Sequence, residues 1–373
     1  MKILWLTNIP SPYRVDFFNE LGERCDLTVL FERSNSSERD ESWLQYKFVS
    51  FKGVIMKGLN IGVDKALTFS FIKYIKKNNY DHIVISNPLT PTGIFAIEYL
   101  RINKINYSIE SDGAIPNYGK SIKEIIKRHV IKGATRYFST AEIHDQYYIN
   151  YGANSGEIVR YPFTSLKKED VAKKPTDQSL KAKYRDMLGM KEKKIILSVG
   201  RFIYTKGYDV LLKAAIGFSK EVGVYIVGGH ITDEYIKLKN DLGLDNVYFI
   251  DYKNKDELKI FFKAADIFVL PTRSDAWGLV INEAMSFGLP VITTNKCVAG
   301  LELIEEGKNG YIVPVEDSKA LADRILKLLS NMELIEFVGK KNIKKINDYT
   351  IEEMAKKHVQ TFEEIIRCQS VLK

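Results

Sequence analysis

Residues 274–285 read SDAWGLVINEAM. The apolar run 266–271 before them predicts a buried parallel strand, and Gly278 opens a segment whose apolar residues recur at helical spacing. The predicted order is therefore strand, loop, helix. Asp275 is expected on the loop and Glu283 about one and a half turns into the helix, with the first backbone N–H groups of the helix between the two acids.

Two acids on either side of a helix start match the groups that a nucleotide-sugar presents. The sugar hydroxyls need a hydrogen-bond acceptor, and the pyrophosphate needs N–H groups and the positive end of a helix. The ribose hydroxyls need a second acceptor roughly 8–10 Å further on, a span that the helical rise allows. A helix with two unrelated acids is the alternative, because a pair of acids at fixed spacing is a weak motif.

The length of 373 residues exceeds one ordinary hydrophobic core and predicts two domains. We expect a first domain of residues 1–165, a second of residues 166–348, and a C-terminal helix, 349–373, that packs back on the first domain. The charged segment 165–194 is interpreted as a linker followed by the first helix of the second domain.

Short apolar strands are predicted at 2–7, 27–31, 83–86, 107–109 and 136–138, and again at 194–199, 224–227, 247–250, 266–270, 290–293 and 311–313. Helices of the first domain are predicted at 12–23, 66–77, 92–102, 119–132 and 141–151. Ser11 and Pro12 are expected to supply the N-cap and the first-turn proline of the first helix. This alternation predicts an α/β protein with two doubly wound, Rossmann-like parallel-sheet domains.

The composition excludes several classes of protein. Cys25, Cys297 and Cys368 are far apart and form no CxxC pair, which indicates a reducing compartment rather than a disulfide framework. The net charge of +8 is a mild excess without a basic tail, so it is compatible with phosphate-bearing ligands and does not indicate nucleic-acid binding. No run is long enough for a signal peptide or a spanning helix, so we expect a cytoplasmic protein, soluble or peripheral on the inner face of the cell membrane.

In open parallel sheets, ligands bind at the carboxyl ends of the strands, and two such domains are expected to face each other across a cleft. In the second domain one strand-end loop holds Asp275, and the other is 200–207, a glycine turn between a strand and a helix. Arg201 can grip phosphate oxygens bidentately, while Lys206 supplies a mobile point charge. Two solvated cations on a loop are the alternative.

Together these motifs resemble the family-4 retaining glycosyltransferases with the GT-B fold, specifically a bacterial surface-polysaccharide type. The matching motifs within about residues 194–330 are Gly200-Arg201, Lys206-Gly207, the acid-x7-acid pair, Gly288-Leu289-Pro290-Val291, Glu302 and Asn309-Gly310. The donor-binding residues that the resemblance implies are Gly200, Arg201, Lys206, Tyr252, Trp277, Gly278, Leu279 and Glu283. By that likeness the two cations bind the pyrophosphate, Glu283 binds the ribose and Asp275 binds the transferred sugar.

The sequence departs from the pattern of this family at its first acid and in its first strand-end loop. Asp275 stands where relatives usually have glutamate and is one methylene shorter. Residues 8–14 lack the Gly-Gly pair of many relatives and end in Pro-Tyr-Arg, which resembles the surface-polysaccharide branch and places Arg14 on the acceptor side.

A third departure lies after a middle strand of the first domain, where relatives often have a histidine. Residues 109–113 read IESDG, so that Glu110 becomes an acceptor-side candidate. For Asp112 two interpretations stay open, a contact to the sugar or a cap of the turn before Gly113. The candidate catalytic residues are thus Asp275, Asp112 and Glu283.

The sequence contains no Asp-x-Asp pair, so we expect metal-independent transfer without a cofactor. The resemblance implies transfer of a hexosyl or N-acetylhexosaminyl group from a nucleotide-sugar, with a UDP-sugar as the expected donor. The implied acceptor is a lipid-linked or saccharide acceptor in capsule, O-antigen or exopolysaccharide synthesis. A non-hydrolysing nucleotide-sugar epimerase and a non-catalytic nucleotide-sugar-binding protein are the alternatives.

The segment 120–136 holds six bases against Glu124 alone, which gives +5. On a helical wheel Ile122, Ile125, Ile126 and Val130 form one face, predicted to pack on the first sheet, and Lys120, Lys123, Lys127, Arg128 and Lys132 form the other. The basic face predicts contact with an anionic membrane surface, and a solvated outer face is the alternative.

Overall fold

The structure is a computed structural model that describes residues 1–35, 46–77 and 79–371. It contains two compact units, one of residues 1–167 together with the segment from Tyr349 onward, and one of residues 168–348. Within the described residues, each unit is built on a parallel β-sheet with helices packed against it. No helix in this part of the chain is both long and apolar enough to cross a bilayer.

The first unit has a seven-stranded parallel sheet in the order β3-β2-β1-β6-β7-β8-β9. Its strands are β1 Lys2–Thr7, β2 Asp26–Phe31, β3 Lys52–Ile55, β6 His82–Ser86, β7 Tyr107–Glu110, β8 Arg136–Ser139 and β9 Ile158–Arg160, with an antiparallel hairpin of β4 Leu59–Ile61 and β5 Lys65–Leu67. Its helices are α1 Pro12–Gly22, α2 Phe71–Lys77, α3 Pro91–Ile102, α4 Ile122–Ile131 and α5 Glu142–Asn150. The strand order reverses between β1 and β6, which defines the point where ligands of such sheets bind.

The strands predicted for this unit are confirmed, but one predicted helix is wrong and several strands were missed. The expected helix 66–77 is divided, because Lys65–Leu67 pairs with the neighbouring strand and the helix begins only at Phe71. The two edge strands of the sheet escaped prediction because they have three or four residues and only partly buried side chains. Ser11 occupies the N-cap position of α1 as expected, although its side chain makes no capping hydrogen bond.

The last helix, Ile351–Val371, belongs to the first unit and packs against α1. Its His358 is fully buried, with its ring stacked on Phe138 at 4.5 Å and lying 5.0 Å from Phe17 and 5.6 Å from Trp5. Burial lowers the pKa of His358 to about 3, so the ring is neutral at physiological pH and serves as an aromatic core residue.

The second unit has a six-stranded parallel sheet in the order β12-β11-β10-β13-β14-β15. Its strands are β10 Lys194–Val199, β11 Val222–Val227, β12 Val247–Ile250, β13 Ile267–Leu270, β14 Val291–Thr294 and β15 Gly310–Val313. Its helices are α6 Gln178–Met187, α7 Tyr208–Ala215, α8 Asp233–Asp241, α9 Lys255–Ala264, α10 Leu279–Ser286, α11 Val298–Leu303, α12 Ser318–Leu329 and α13 Met332–Ile346. The last helix of the chain, Ile351–Val371 of the first unit, is α14. All six strands predicted here are confirmed. The central ones are continuous apolar runs buried on both faces, whereas the edge strand β12 is only partly buried.

Helix α4 is rotated relative to the prediction. Ile122, Ile125 and Ile126 are 77%, 63% and 49% exposed, so the expected packing of this face on the sheet is wrong; only Val130 of the predicted face is buried. Glu124 points inward instead, where it accepts a hydrogen bond from the Tyr151 hydroxyl and pairs with Lys127 at 3.0 Å. A buried polar cluster, rather than the apolar periodicity, therefore sets the rotation of this helix.

Candidate functional site

Two loops of the second unit leave neighbouring strands at the point where the strand order reverses. The loop 200–207 follows β10 and leads into α7, and the loop 271–278 follows β13 and leads into α10. Because both strands are parallel, both loops emerge at the carboxyl edge of the sheet. The two loops that were singled out in the sequence are thus brought side by side.

Backbone and side-chain contacts fasten these loops to each other. The carbonyl of Thr205 accepts hydrogen bonds from the backbone N–H of Arg273 and from the Thr272 hydroxyl, both at 2.7 Å. Gly207 has a positive φ of 68°, and a Cβ at this position would lie 2.1 Å from the Pro271 carbonyl oxygen. The close approach of the loops therefore requires glycine at this position.

Arg273 holds the arrangement together and was missed by the sequence reasoning. Its guanidinium donates two hydrogen bonds of 2.8 Å to Asp209, a third of 2.8 Å to the Tyr204 carbonyl, and pairs with Glu316. Hydrogen bonds to the two carboxylates raise the pKa of Arg273 well above its ordinary value. An arginine directly after a strand-ending Pro-Thr was the only signal available in the sequence, and the partner acids are far away along the chain.

Lys206, predicted to bind the pyrophosphate, and Asp275, predicted to bind the transferred sugar, form an ion pair with each other. Their side chains are 18% and 17% exposed, so the pair is only partly shielded from solvent. The backbone N–H of Asp275 donates to the Lys296 carbonyl at 3.0 Å, and its carbonyl accepts from Val298 at 3.3 Å. The backbone of Asp275 is therefore fixed by the segment that joins β14 to α11, and its carboxylate is held by Lys206.

The start of α10 lies directly after this pair. Gly278 is the N-cap, and Leu279 is the first helical residue, so the first N–H groups of the helix lie where no intrahelical carbonyl can accept from them. Glu283 is half-buried on the second turn. The order predicted from the sequence, acid, helix start, acid, is thus present along one loop and helix.

Trp277 is 2% exposed and donates its indole N–H to the Asn282 side chain at 2.8 Å. Its ring belongs to the core, and its carbonyl accepts hydrogen bonds from the Ala299 backbone N–H at 2.9 Å and from the Cys297 thiol at 3.1 Å. Tyr252 is exposed in the loop after β12, and Arg201 is half-buried beside Gly200, whose carbonyl accepts from the Tyr208 hydroxyl at 2.9 Å.

A Gly-Gly pair after β11 is a further feature that the sequence reasoning missed. A Cβ on Gly228 would lie 1.9 Å from the carbonyl oxygen of Gly200, so the loop after β10 passes directly over this position. Gly229 lies beside Tyr252. Two glycines immediately after a predicted buried strand were the readable signal, because such a pair marks a close backbone approach.

In the first unit a charged network lies at the ends of β7 and its neighbours. The Arg14 guanidinium, which is buried, pairs with Glu110 at 2.8 Å and with Asp112. Glu110 is fully buried and also accepts from the Ser86 hydroxyl and, at 2.5 Å, from Tyr161. Burial alone would lower the pKa of Arg14, but the negative charges of Asp112 and Glu110 raise it well above its ordinary value.

Asp112 is the more accessible end of this network, with a side chain that is 32% exposed. It accepts a hydrogen bond of 2.7 Å from the Tyr13 hydroxyl. Arg14 and Glu110, the predicted acceptor-side residues, therefore lie beneath it and hold it in place.

His144, which the sequence reasoning did not single out, supports the same loop. Its Nδ1 accepts from the Thr140 backbone N–H at 3.2 Å, which leaves the proton on Nε2 to be donated to the Ser111 hydroxyl at 3.0 Å. Burial lowers the pKa of His144 to about 3, so the ring is neutral. In the described residues no group of three or more His, Cys, Asp or Glu side chains is arranged to hold a metal ion.

Residues 181–345 match the family model of glycosyl transferases group 1. Spore coat protein SA of Bacillus subtilis is 35% identical over 176 residues, which cover 44% of this chain and 46% of that protein. O-antigen chain mannosyltransferase C of Escherichia coli is 28% identical over 232 residues, which cover 59% of this chain and 60% of that protein. The chain spans about half the length of the curated relatives it matches.

Solved structures resemble the whole chain. Sucrose-phosphate synthase of Thermosynechococcus elongatus has a TM-score of 0.79 at 17% identity and covers 99% of this chain and 100% of its own. Alr3699/HepE of Anabaena, solved with UDP, has a TM-score of 0.77 at 17% identity and covers 98% of this chain and 100% of its own. The predicted fold class, two parallel-sheet α/β domains of the GT-B type, is confirmed.

Proposed function

We propose that this chain, with its glycosyl transferase group 1 domain, is a retaining glycosyltransferase that moves a sugar from a nucleotide-sugar to a lipid-linked or saccharide acceptor. The observation that carries the proposal is the ion pair of Lys206 and Asp275 directly before the start of α10, at the switch point of the second sheet. A cation, a carboxylate and a helix start in one place are what a diphosphate-linked sugar requires.

A UDP-sugar is the donor that we favour. Alr3699/HepE, a structural relative, was solved with UDP, with UDP and glucose, and with UDP-glucose. We accordingly propose that the transferred group is a hexosyl or N-acetylhexosaminyl group. The names of two relatives, a capsular polysaccharide glycosyltransferase of Staphylococcus aureus and the O-antigen mannosyltransferase, support surface polysaccharide as the product.

On donor binding, we propose that the diphosphate displaces Asp275 from Lys206. The lysine, Arg201 and the first N–H groups of α10 then neutralise the phosphates, and the released carboxylate turns to the sugar hydroxyls. Glu283 accepts from the ribose hydroxyls, and the loop of Tyr252 meets the base. The ion pair of Lys206 and Asp275 thereby leaves neither charge unpaired before the donor binds.

The transfer itself breaks the bond between the sugar C1 and the diphosphate oxygen, which departs with the electron pair. A bond forms between C1 and the acceptor oxygen, whose proton is released. The transition state resembles an oxocarbenium ion, which a carboxylate such as that of Asp275 can stabilise. A covalent intermediate and attack from the same face are the two alternative routes.

For the acceptor side, we propose that Asp112 and Tyr13 contact the acceptor or the sugar, while Arg14 and Glu110 act as positioning residues. The burial of the latter two and their mutual ion pair support this division. A lipid-linked acceptor would place the protein at the inner face of the cell membrane.

Incubation of the full chain with a panel of nucleotide-sugars, followed by chromatography of released nucleoside diphosphate, tests the function. We expect release that is stimulated by a saccharide or lipid-linked acceptor and that persists in EDTA. Interconversion of sugars without an acceptor would instead indicate an epimerase, and tight binding without release a binding protein. Activity that is lost in EDTA and restored by magnesium or manganese would contradict metal independence.

The variants Asp275→Asn and Glu283→Gln are expected to have different defects, the first in turnover and the second in UDP binding. Loss of the sugar contact in Asp275→Asn should lower kcat by about 100-fold, while freeing Lys206 should leave affinity for free UDP unchanged or tighter by about two- to fivefold. Glu283→Gln should weaken UDP binding by about tenfold. Calorimetry and steady-state kinetics measure both, and Glu305→Gln, an exposed acid of the same unit, is the control. Identical defects in the two variants would rule out this division of roles.

A further inference from the structure

The outward side of α4 carries three isoleucines, Ile122, Ile125 and Ile126, here called the isoleucine face. Their spacing places them on one side of the helix, in its first turn and a half. Lys120, Lys123 and Arg128 are exposed around them. The helix therefore presents an apolar stripe bordered by positive charge to its surroundings, with its acid turned inward.

A second exposed apolar cluster lies on the neighbouring helix. Helix α3 is bonded to α4 through Glu98 with His129 at 3.0 Å and through Arg101 with the Val130 carbonyl at 3.0 Å. On α3, the exposed ring of Phe95 packs edge-on against Phe69 at 5.0 Å, which is also exposed. Phe69 lines a shallow surface cavity together with Lys57, Lys73 and Lys76.

Both clusters lie at the beginnings of helices that follow β6 and β7. The beginning of such a helix lies near the carboxyl edge of the sheet, the same edge at which Asp112 and Tyr13 lie. An apolar surface and the candidate acceptor groups therefore share one end of the first unit.

A bilayer with anionic headgroups fits this surface better than water or an acidic protein. Exposed isoleucine side chains carry no polar group, so their transfer from water into the acyl boundary has no unfavourable free energy. The lysines and the arginine beside them are long enough to reach the headgroup phosphates. A merely solvated face, the alternative considered for the sequence, would carry polar residues where these isoleucines stand.

We propose that the first unit docks on anionic lipid bilayers through α4, with the isoleucine face inserted among the acyl chains and Lys120, Lys123 and Arg128 at the phosphates. The insertion adds an apolar component to the charge contact predicted from the sequence. The proposal rests on the proposed function in one respect: an acceptor carried by a lipid would then be presented at the edge where Asp112 lies.

Co-sedimentation of the full chain with vesicles tests the docking. Binding is expected to vesicles of phosphatidylcholine with about 30% phosphatidylglycerol, to weaken between about 0.05 and 0.5 M salt, and to be far lower with phosphatidylcholine alone. The triple variant Ile122→Ser, Ile125→Ser, Ile126→Ser should lower the partition coefficient by about 100-fold. Lys123→Ser with Arg128→Ser should lower it by about 30-fold and remove most of the salt dependence.

The matched control is the triple variant Ile216→Ser, Lys220→Ser, Lys237→Ser, which removes an exposed isoleucine and two exposed lysines from the second unit. It should bind vesicles as the original chain does. All variants should keep their melting temperature, because the replaced side chains are exposed.

Equal recovery in the supernatant with neutral and anionic vesicles would overturn the proposal. So would normal binding by the isoleucine variant, which would point to a charge contact alone, or a large fall in its melting temperature, which would show that the isoleucines are core residues. UDP affinity, measured in parallel without vesicles, should be the same in all variants. Vesicle binding tests the docking proposal, and UDP binding tests the proposed function. The two proposals can therefore fail independently of each other.

Discussion

Replacement of Lys206 by alanine is expected to weaken the binding of UDP by about 10- to 100-fold and to lower kcat/KM by at least as much. A charge-assisted contact to the diphosphate contributes about 1.5–3 kcal/mol, and the same charge must neutralise the departing group. The variant also leaves Asp275, which is only 17% exposed, without its cationic partner. Calorimetry with UDP and steady-state kinetics measure the two effects.

Two control variants make this expectation sharp. Lys213→Ala removes a half-exposed lysine on α7, 3.6 Å from Asp209, and should leave UDP affinity unchanged. The double variant Lys206→Ala, Asp275→Asn should recover any stability lost by the single variant but none of the UDP affinity. Arg201→Ala should resemble Lys206→Ala in binding. Unchanged UDP affinity in both single cation variants would refute the assignment of the diphosphate site.

Replacement of Arg14 by alanine is expected to destabilise the first unit by about 3–5 kcal/mol, because it leaves a fully buried Glu110 without its counter-charge. Amide hydrogen exchange should accelerate in β1 and β7 and stay unchanged in β10 and β13, since the latter belong to the other unit. The turnover number should fall as well, because Asp112 loses the group that holds it.

The nearby Arg24→Ala is the matched control: Arg24 is exposed and pairs with Glu20 one turn away, so a cost of only about 0–1 kcal/mol is expected. Arg14→Lys should lie between the two, since lysine keeps the charge but cannot bridge both carboxylates. Arg14→Met combined with Glu110→Gln should recover stability but not turnover. A neutral effect of Arg14→Ala on exchange in β7 would contradict the role given to this ion pair.

The sheets and the second-unit site were predictable because their signals are local. A strand buried on both faces is a continuous apolar run, as at Ile267–Leu270, and the two loops around Lys206 and Asp275 follow such runs directly. The rule that ligands of such sheets bind at the carboxyl ends of the strands then pointed to these two loops. Predicting the fold and the position of the candidate donor site therefore needed no long-range information.

What could not be predicted depends on partners far away in the sequence. Arg273 acquires its role only from Asp209 and Glu316, which are 64 and 43 positions away. Helix α4 turns Glu124 inward because Tyr151, the residue directly after α5, provides its hydrogen bond. The apolar periodicity of the segment therefore pointed to the wrong face. Edge strands such as β9 are too short for any periodicity to be visible.

The contribution of α14 to the first unit also dictates the order in which the chain can fold during synthesis. Trp5, Phe17 and Phe138 emerge from the ribosome early, but His358, which packs among them, is translated only after the whole second unit. At about 5–20 residues per second, the aromatic core of the first unit stays open for roughly 20–70 s after Trp5 is made. All seven strands of the first sheet, which end at Arg160, are thus made before the second unit, yet the aromatic core on one face of that sheet stays incomplete until α14 has been translated.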